Sequence, residues 1–407
     1  MPNSSGMTLE ELHALLTPVG QALLAEFTGL PLRDDDLLPV LTRYRQNHPA
    51  TLVSTVIELW QLRRRARDKF PRADALFFTR DGLEMASADP VARHTAMRFA
   101  GLPLVYDLCC GIGGDLLALA DTATRVLAVD CDPLALEMAT LNAQVQGVAE
   151  RITFQDGEVV AMLPTFLTHH GTPSAIFIDP SRRAERAAAR RPDAYHPPLS
   201  WCLRLVAQAP RVAIKMSPAL DYEHILRDCR AEVEVISLRG ECKEALCWLG
   251  DFRTCARRAT VLPDGATLTD AGAHSSALGE IGAWLYEPDP AIIRAHLVQR
   301  LAGECALRRL DAEIAYLTGD HWITSPFFSG YRVLEVIPWS LKRVNTALRV
   351  RGIGHIVIKK RGFPIIPETL RPMLKLVGRH HAVLICTKIS GRPVVIIAES
   401  GSADESA

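Results

Sequence analysis

The sequence predicts an α/β protein, with a central, mostly parallel sheet in residues 76–265, an N-terminal helical region in 1–75 and a small α+β domain in 280–407. Three observations carry that expectation. From Leu104 onward short apolar runs alternate with helical stretches, the rhythm of parallel strands joined by crossover helices. Residues 8 to about 72 instead place apolar side chains at helical spacing behind N-terminal caps. After a stretch rich in Gly, Ser, Thr and Pro at 260–276, the rhythm resumes as two βα units and a closing pair of strands.

Length and composition permit this organisation. The chain has 407 residues, 48% of them apolar, enough for several packed cores. Lys plus Arg number 46 and so do Asp plus Glu, so net charge neither points to nucleic acid nor excludes it, and only the distribution of charge is informative. Ten cysteines, among them Cys109, Cys110, Cys202 and Cys247 inside apolar runs, read as reduced thiols of a cytoplasmic protein. Cys109 and Cys110 are adjacent, not spaced as CxxC, so no metal is expected. The N-terminus, MPNSSGMTLEEL, lacks a basic region followed by an apolar one, and no run of about 18 apolar residues occurs, so no membrane association is expected.

Taken in order, Thr8 and Glu11 form a capping box for a first helix, and Thr17 before Pro18 opens a second that runs to Phe27. Asp34, Asp35 and Asp36 precede a third. Pro49 opens a fourth with Leu52, Val53, Val56, Ile57 and Trp60 on one side; it ends in Arg63, Arg64, Arg65, Arg67 and Lys69, read as a solvated cap complementing the helix dipole in preference to an RNA contact. Residues 73–101 read as a strand, a turn at Asp81-Gly82 and a helix from about Pro90 capped by Ser87 or Asp89.

Strands are expected at 104–108, 125–129, 151–155, 175–178 and 211–216, with a hairpin of 233–238 and 245–250 at the end. Ligands of such sheets bind at the carboxyl ends of the strands, where this sequence places Asp107, Asp130, Asp156, Asp179, Lys215 and Ser217. Gly111, Gly113 and Gly114 let the backbone turn sharply out of the first strand and approach a ligand, with a helix N-terminus aimed at the same place. Asp130, closing the second strand, is placed to accept two ribose hydroxyl hydrogens. Leu116 stands where a dinucleotide fingerprint has its third glycine, which argues against a pyrophosphate ligand.

Asp107-x-x-x-Gly111-x-Gly113 followed by Asp130 resembles motif I of the class I S-adenosylmethionine-dependent methyltransferases, and the segment before it resembles that of trimethylguanosine synthase-like methyltransferases. The resemblance implies a Rossmann-like sheet and S-adenosylmethionine as cofactor. It places Asp107 near the methionine amino group, Cys109, Gly111 and Gly113 along the amino-acid part, Asp130 on the ribose and Asp156 on the adenine amino group. Many family members that act on exocyclic amines have Asp, Asn or Ser, then Pro-Pro, then an aromatic residue. Here Asp179 and Pro180 are kept, while Ser181 and Arg182 replace the second proline and the aromatic ring. A guanidinium also stacks on bases. Arg183 and the arginines after it give the acceptor loop a phosphate-binding character, with Lys215 and Ser217 on the opposite wall.

The segments YEPDPAIIRAH, YRVLEV and GHIVIKKRG resemble the THUMP-like domain that follows a class I methyltransferase core in a bacterial family, in keeping with an α+β, ferredoxin-like pattern. Residues 342–380, with Lys359, Lys360 and Arg361 among many cations, contain only Glu368 as an acid, a composition suited to phosphate backbone. The expectation is a cytoplasmic methyltransferase acting on a base of structured RNA, tRNA or rRNA, with an exocyclic amino nitrogen favoured. A protein or small-molecule methyltransferase, and a non-catalytic RNA-binding protein with a degenerate core, stand as alternatives.

Overall fold

The computed structural model describes residues 6–30, 37–182, 194–272 and 276–401. The chain divides into two compact units, Met1–Glu232 with Glu244–Thr254, and Val233–Lys243 with Cys255–Ala407. The division therefore falls at neither 75 nor 265, and the N-terminal helices share a unit with the parallel sheet.

Helices α1 (Leu9–Leu16), α2 (Pro18–Gly29), α3 (Leu37–Tyr44) and α4 (Ala50–Ala66) open the first unit. The capping box forms, with the Glu11 N–H donating to Thr8 Oγ1 and the Thr8 N–H donating to a Glu11 carboxylate oxygen. Thr17 caps the helix that Pro18 begins. Their apolar faces build one core with Phe77, Phe78, Ile112 and Met138, so the N-terminal helices pack on the glycine loop itself.

Residues 72–79 form no strand and Asp81-Gly82 is no turn: Thr79 caps a helix, α5 (Arg80–Met85), by accepting the Gly82 N–H at 2.9 Å. Gly82 is needed for close packing, since a Cβ there would lie 2.7 Å from Ile112 Cγ2. Helix α6 (Asp89–Ala96) follows, and neither Ser87 nor Asp89 is its N-cap; that position is Ala88, without a side-chain bond.

The sheet of the first unit contains β1 (Val105–Leu108), β2 (Val126–Asp130), β3 (Ile152–Asp156), β4 (Ala175–Ile178) and β5 (Arg211–Met216). Next in the chain come β6 (Ala231–Leu238) and β7 (Glu241–Gly250), joined by Arg239-Gly240, both in the left-handed region that tight hairpin turns require. In space the order is β3-β2-β1-β4-β5-β7, parallel through β5, with β7 antiparallel to β5. Helices α7 (Leu116–Thr122), α8 (Pro133–Gln146) and α9 (Val159–His170) make the crossovers. Strands β1 and β4 are buried throughout, as a parallel sheet covered on both faces demands.

In the second unit β8 (Arg257–Leu262) lies parallel to β6 and antiparallel to β9 (Ala266–Thr269). A separate seven-stranded sheet holds β10 (Trp284–Pro288), β11 (Arg308–Arg309), β12 (Leu317–Gly319), β13 (Phe328–Pro338), β14 (Ile353–Lys360), β15 (His380–Ile389) and β16 (Arg392–Ser400). Its order is β11-β12-β10-β13-β16-β15-β14. The helix between β13 and β14, Leu341–Val350, forms as expected. The one expected after β14 shortens to Pro367–Leu370 and a 3-10 turn, because Pro372 lacks an N–H and clashes with the preceding turn.

Asn142 on α8 joins these parts of the first unit. Its side chain is buried, accepts the Phe77 N–H (2.7 Å), and donates to the carbonyls of Phe77 (3.0 Å) and Ile112 (3.0 Å). Asn142→Ala strands three buried backbone groups and is expected to cost about 2–4 kcal/mol in urea unfolding. A loss below about 0.5 kcal/mol would show that these groups find other partners.

Candidate active site

The carboxyl ends of β1, β2, β4 and β5 meet above the glycine loop. Cys109 takes φ 64°, a left-handed conformation that a non-glycine residue adopts at a cost of about 1–2 kcal/mol. Gly111 follows at φ 53°, and a Cβ added there would meet nothing within 4 Å, so its surface is open. Gly114 is packed tight instead, its missing Cβ falling 2.9 Å from Ala86 Cβ. The Gly111 N–H donates to Asp130 Oδ2 at 2.7 Å, and the Asp132 N–H to Asp130 Oδ1 at 3.0 Å, so the loop and the acid after β2 fix each other. Burial raises the Asp130 carboxyl above its ordinary range, while the backbone N–H groups of Asp132, Gly111 and Cys131 oppose the rise.

A cavity of about 340 Å³ opens at this rim, a size suited to a small organic ligand. Thr79, Gly82, Ala86, Gly111, Gly114, Gly157, Ser181 and His196 contribute to its wall. Six carboxylates line it, those of Asp81, Asp115, Asp130, Asp132, Glu158 and Asp179, with no lysine or arginine among the described lining residues. Such a wall attracts a cation and repels a phosphate, which disfavours a dinucleotide more strongly than the missing third glycine does. Asp156 is exposed and outside the wall; the residues after it, Gly157, Glu158 and Val159, stand there instead.

Behind the wall lies a buried charge cluster. Lys215, 5% exposed, donates to Asp115 Oδ2 (2.8 Å) and Asp179 Oδ2 (2.7 Å). Burial by itself would lower the Lys215 ammonium, but Asp115, Asp179 and Glu244 hold it well above its usual value. Asp107, 1% exposed, has no hydrogen-bond partner for either carboxylate oxygen among the described residues and is not a wall residue. Burial, with Asp115 and Asp179 nearby, pushes it well above the carboxylate range. Burial likewise takes Glu244 to about 7. Ser87 Oγ lies 2.9 Å from Glu244 Oε2 and 3.1 Å from Asp115 Oδ2. A hydroxyl has one hydrogen to give, so a protonated Glu244 completes the pair. One ammonium stands among four carboxylates: burial and the neighbouring acids raise Asp107 and Glu244 toward their protonated forms, while Lys215 donates to Asp115 and Asp179.

Sequence reasoning located Asp130, Asp179, Cys109, Gly111 and Ser181 in the cavity wall, and missed Asp115, Glu244, Ser87, Asp81, Asp132 and Glu158. Lys215 and Ser217 are buried; Lys215 faces carboxylates, and the Ser217 N–H donates to Tyr195 Oη at 2.9 Å, so neither is a free phosphate contact. Ser181 Oγ donates to the His196 carbonyl (3.1 Å), and Ser181-Arg182 pair with Tyr195-His196 as a two-residue ribbon. Pro180 joins that ribbon to β4. The Arg182 side chain and Arg183 lie outside the described residues. In the second unit Lys359 and Arg361 both pair with Glu287 (2.6 and 3.2 Å) and are half-buried, whereas Lys360 is exposed. All ten cysteines are free thiols, no metal-ligating group of His, Cys, Asp and Glu occurs among the described residues, and no described helix is long and apolar enough to cross a membrane.

Five parallel strands, an antiparallel sixth and a cation-seeking cavity beyond the glycine loop define the class I methyltransferase fold. Comparisons agree. Residues 103–182 match the RNA cap guanine-N2 methyltransferase family, 328–400 the THUMP domain-like family and 8–66 a domain of unknown function. An uncharacterized S-adenosylmethionine-dependent methyltransferase of Mycobacterium tuberculosis is 33% identical over 344 residues, covering 82% of this chain and 92% of the relative. A crystal structure from Porphyromonas gingivalis W83, described as a methyltransferase, superposes with a TM-score of 0.73 at 21% identity, over 92% of this chain and all of that one, which shows the fold. An RNA methyltransferase of Lactococcus lactis is 34% identical over 93 residues, 22% of this chain and 20% of its own length. The chain belongs to the S-adenosylmethionine-dependent methyltransferases, with S-adenosylmethionine as cofactor and a THUMP-like domain at its C-terminal end.

Glu244 supplies a test of the cluster. Its folded value of about 7 exceeds the ordinary 4.5, so the folded state keeps a proton that the unfolded state releases between those values. Its contribution to stability therefore falls as pH rises through that window. Between about pH 5 and about pH 8 the wild type should lose melting temperature relative to Glu244→Gln. A difference between the two proteins that does not change with pH would sink this protonation scheme.

Proposed function

We propose that the enzyme transfers the methyl group of S-adenosylmethionine to an exocyclic amino nitrogen of a base in structured RNA, tRNA or rRNA. The acidic cavity at the glycine loop carries this reading. Its residues fit the cofactor: the open face of Gly111 and the loop from Cys109 to Gly113 hold the amino-acid part, Asp130 the ribose, and the six carboxylates suit a ligand with sulfonium and ammonium charges. Asp156 keeps its proposed adenine contact only through a turn of its exposed side chain; Gly157 and Glu158 line that end. Asp107, expected near the methionine amino group, is buried behind the loop and does not line the cavity.

The bound cofactor supplies an electrophilic methyl on sulfur. Asp179, 28% exposed at its side chain and held by Lys215, accepts a hydrogen of the acceptor amine and turns the nitrogen lone pair toward the methyl. The surplus proton of the methylated amine would pass to that carboxylate. Pro180 and Ser181 set the backbone beside the base, and Arg182 takes the stacking place of the family's aromatic ring. Lys215 is a positioning residue: it keeps Asp179 anionic and oriented. The likeness of residues 103–182 to the RNA cap guanine-N2 family supports a nitrogen acceptor, and the short RNA methyltransferase likeness supports RNA.

The C-terminal domain is proposed to hold the RNA. A cleft of about 1000 Å³ there is lined by Lys342, Arg343, Arg351, His380 and His381 beside Leu334 and Ile337. Glu335 and Glu399 also line it and Arg351 pairs with Glu335 (3.2 Å), just as Lys359 and Arg361 pair with Glu287, so Lys342 and Arg343 in the cleft and the exposed Lys360 are the cations proposed to meet phosphate.

Calorimetric titration of S-adenosylmethionine should show binding weakened at least about tenfold in Asp130→Ala, the worth of lost charge-assisted hydrogen bonds. Unchanged affinity would remove Asp130 from the site. Asp179→Asn should bind the cofactor within about threefold of wild type yet transfer labelled methyl to fractionated RNA at least about a hundredfold more slowly. Label entering only protein or metabolites would refute the RNA reading. Lys342→Glu with Arg343→Glu should weaken RNA affinity and flatten its salt dependence by about two contacts; identical salt slopes would exclude the cleft.

A further inference from the structure

The end of α4 carries five cations, and three of them are structural. The buried Arg63 donates to the carbonyls of Leu76 (2.8 Å) and Ala75 (3.1 Å), and Arg67 pairs with Asp74. Lys69 Nζ donates to the carbonyls of Leu83 (2.7 Å), Glu84 (3.1 Å) and Ala86 (3.0 Å), closing the C-terminal end of α5. Arg64, whose guanidinium lies over the Trp60 ring at 4.6 Å, and Arg65 are exposed and, with Arg80 at the start of α5, line an open groove of about 420 Å³. Glu58, Gln61, Leu62 and Arg65 follow one another at helical spacing along one face of α4, so the groove runs along that helix. Among the described lining residues the three arginines outnumber the one carboxylate, Glu58.

Position gives this groove its meaning. Arg80 lies between Thr79 and Asp81, and both of these line the acidic cavity. The cavity wall repels a polyanion, so an RNA strand that delivers a base there needs cations immediately outside it. Lys215 is buried against carboxylates and cannot serve. We infer that the groove formed by Arg64, Arg65 and Arg80 is a phosphate-binding site for the RNA strand whose base enters the cavity. The N-terminal region is thereby a substrate-binding element, in place of the solvated helix cap that its sequence suggests. This inference rests on the RNA reading above.

The test uses full-length protein and a fluorescein-labelled RNA hairpin followed by anisotropy over a range of salt. Arg65→Gln with Arg80→Gln should lower affinity about tenfold and reduce the salt slope by about two, with calorimetric S-adenosylmethionine binding unchanged. Arg65→Lys with Arg80→Lys, which keeps the charge, should restore most of the affinity and guards against a folding artefact. Wild-type affinity and slope in the glutamine variant would overturn the groove while leaving the RNA reading intact. Absence of salt-dependent hairpin binding by the wild type would overturn both. A glutamine variant that loses polyglutamate binding but keeps the hairpin would mark the groove as a protein-docking surface and overturn the inference.

Discussion

The contact of Lys215 with Asp115 and Asp179 is the interaction on which the active end of this molecule depends. It joins the end of β5 to the start of α7 and to the turn after β4, three segments that otherwise present only negative charge to one another. At an effective dielectric constant of about 20, two unit charges about 4 Å apart interact by about 4 kcal/mol, so a buried group of carboxylates without an ammonium would drive the strand ends apart or take up protons. Lys215 favours the charged form of the acids it bonds, Asp179 among them. In the proposed reaction that form accepts a hydrogen of the amine.

The same rim depends on an unexpected source of rigidity. One wall of the cavity is α5, and α5 is held from outside by Lys69 at its end, by Arg63 on the segment before it and by Asn142 through Phe77. These are bonds from side chains to backbone, each satisfying carbonyl or N–H groups that a loop-rich wall would leave unpaired. The N-terminal helices are therefore part of the construction of the cavity, in keeping with one core that includes residues from Met7 to Met138.

How much of this was legible in the sequence follows the distance between partners. The glycine loop, Asp130 and the capping box are local, and local chemistry fixed them: Gly111 meets an acid only 19 residues away. Ser87 and Glu244 are 157 residues apart, and no spacing rule unites them. Charge runs were the least informative. Lys359 and Arg361 read as a phosphate patch until Glu287, more than 70 residues upstream, is seen between them. Asp81-Gly82 resembled a turn because glycine was read for its conformational freedom, whereas Gly82 is there for want of space beside Ile112. Domain boundaries are hard to read for a similar reason, since helical periodicity reveals which face of α4 is apolar but not which core that face joins.

The six carboxylates of the cavity also bear on how the enzyme lets go. Methyl transfer turns a sulfonium into a neutral thioether, so the ligand loses one positive charge at the moment of reaction. If the cofactor occupies the proposed site, a wall of this sign would grip the incoming form more strongly than the spent one, and the field that gathers the reactant would ease departure of the product. Turnover in such a site is helped by electrostatics that no residue needs to move to deliver.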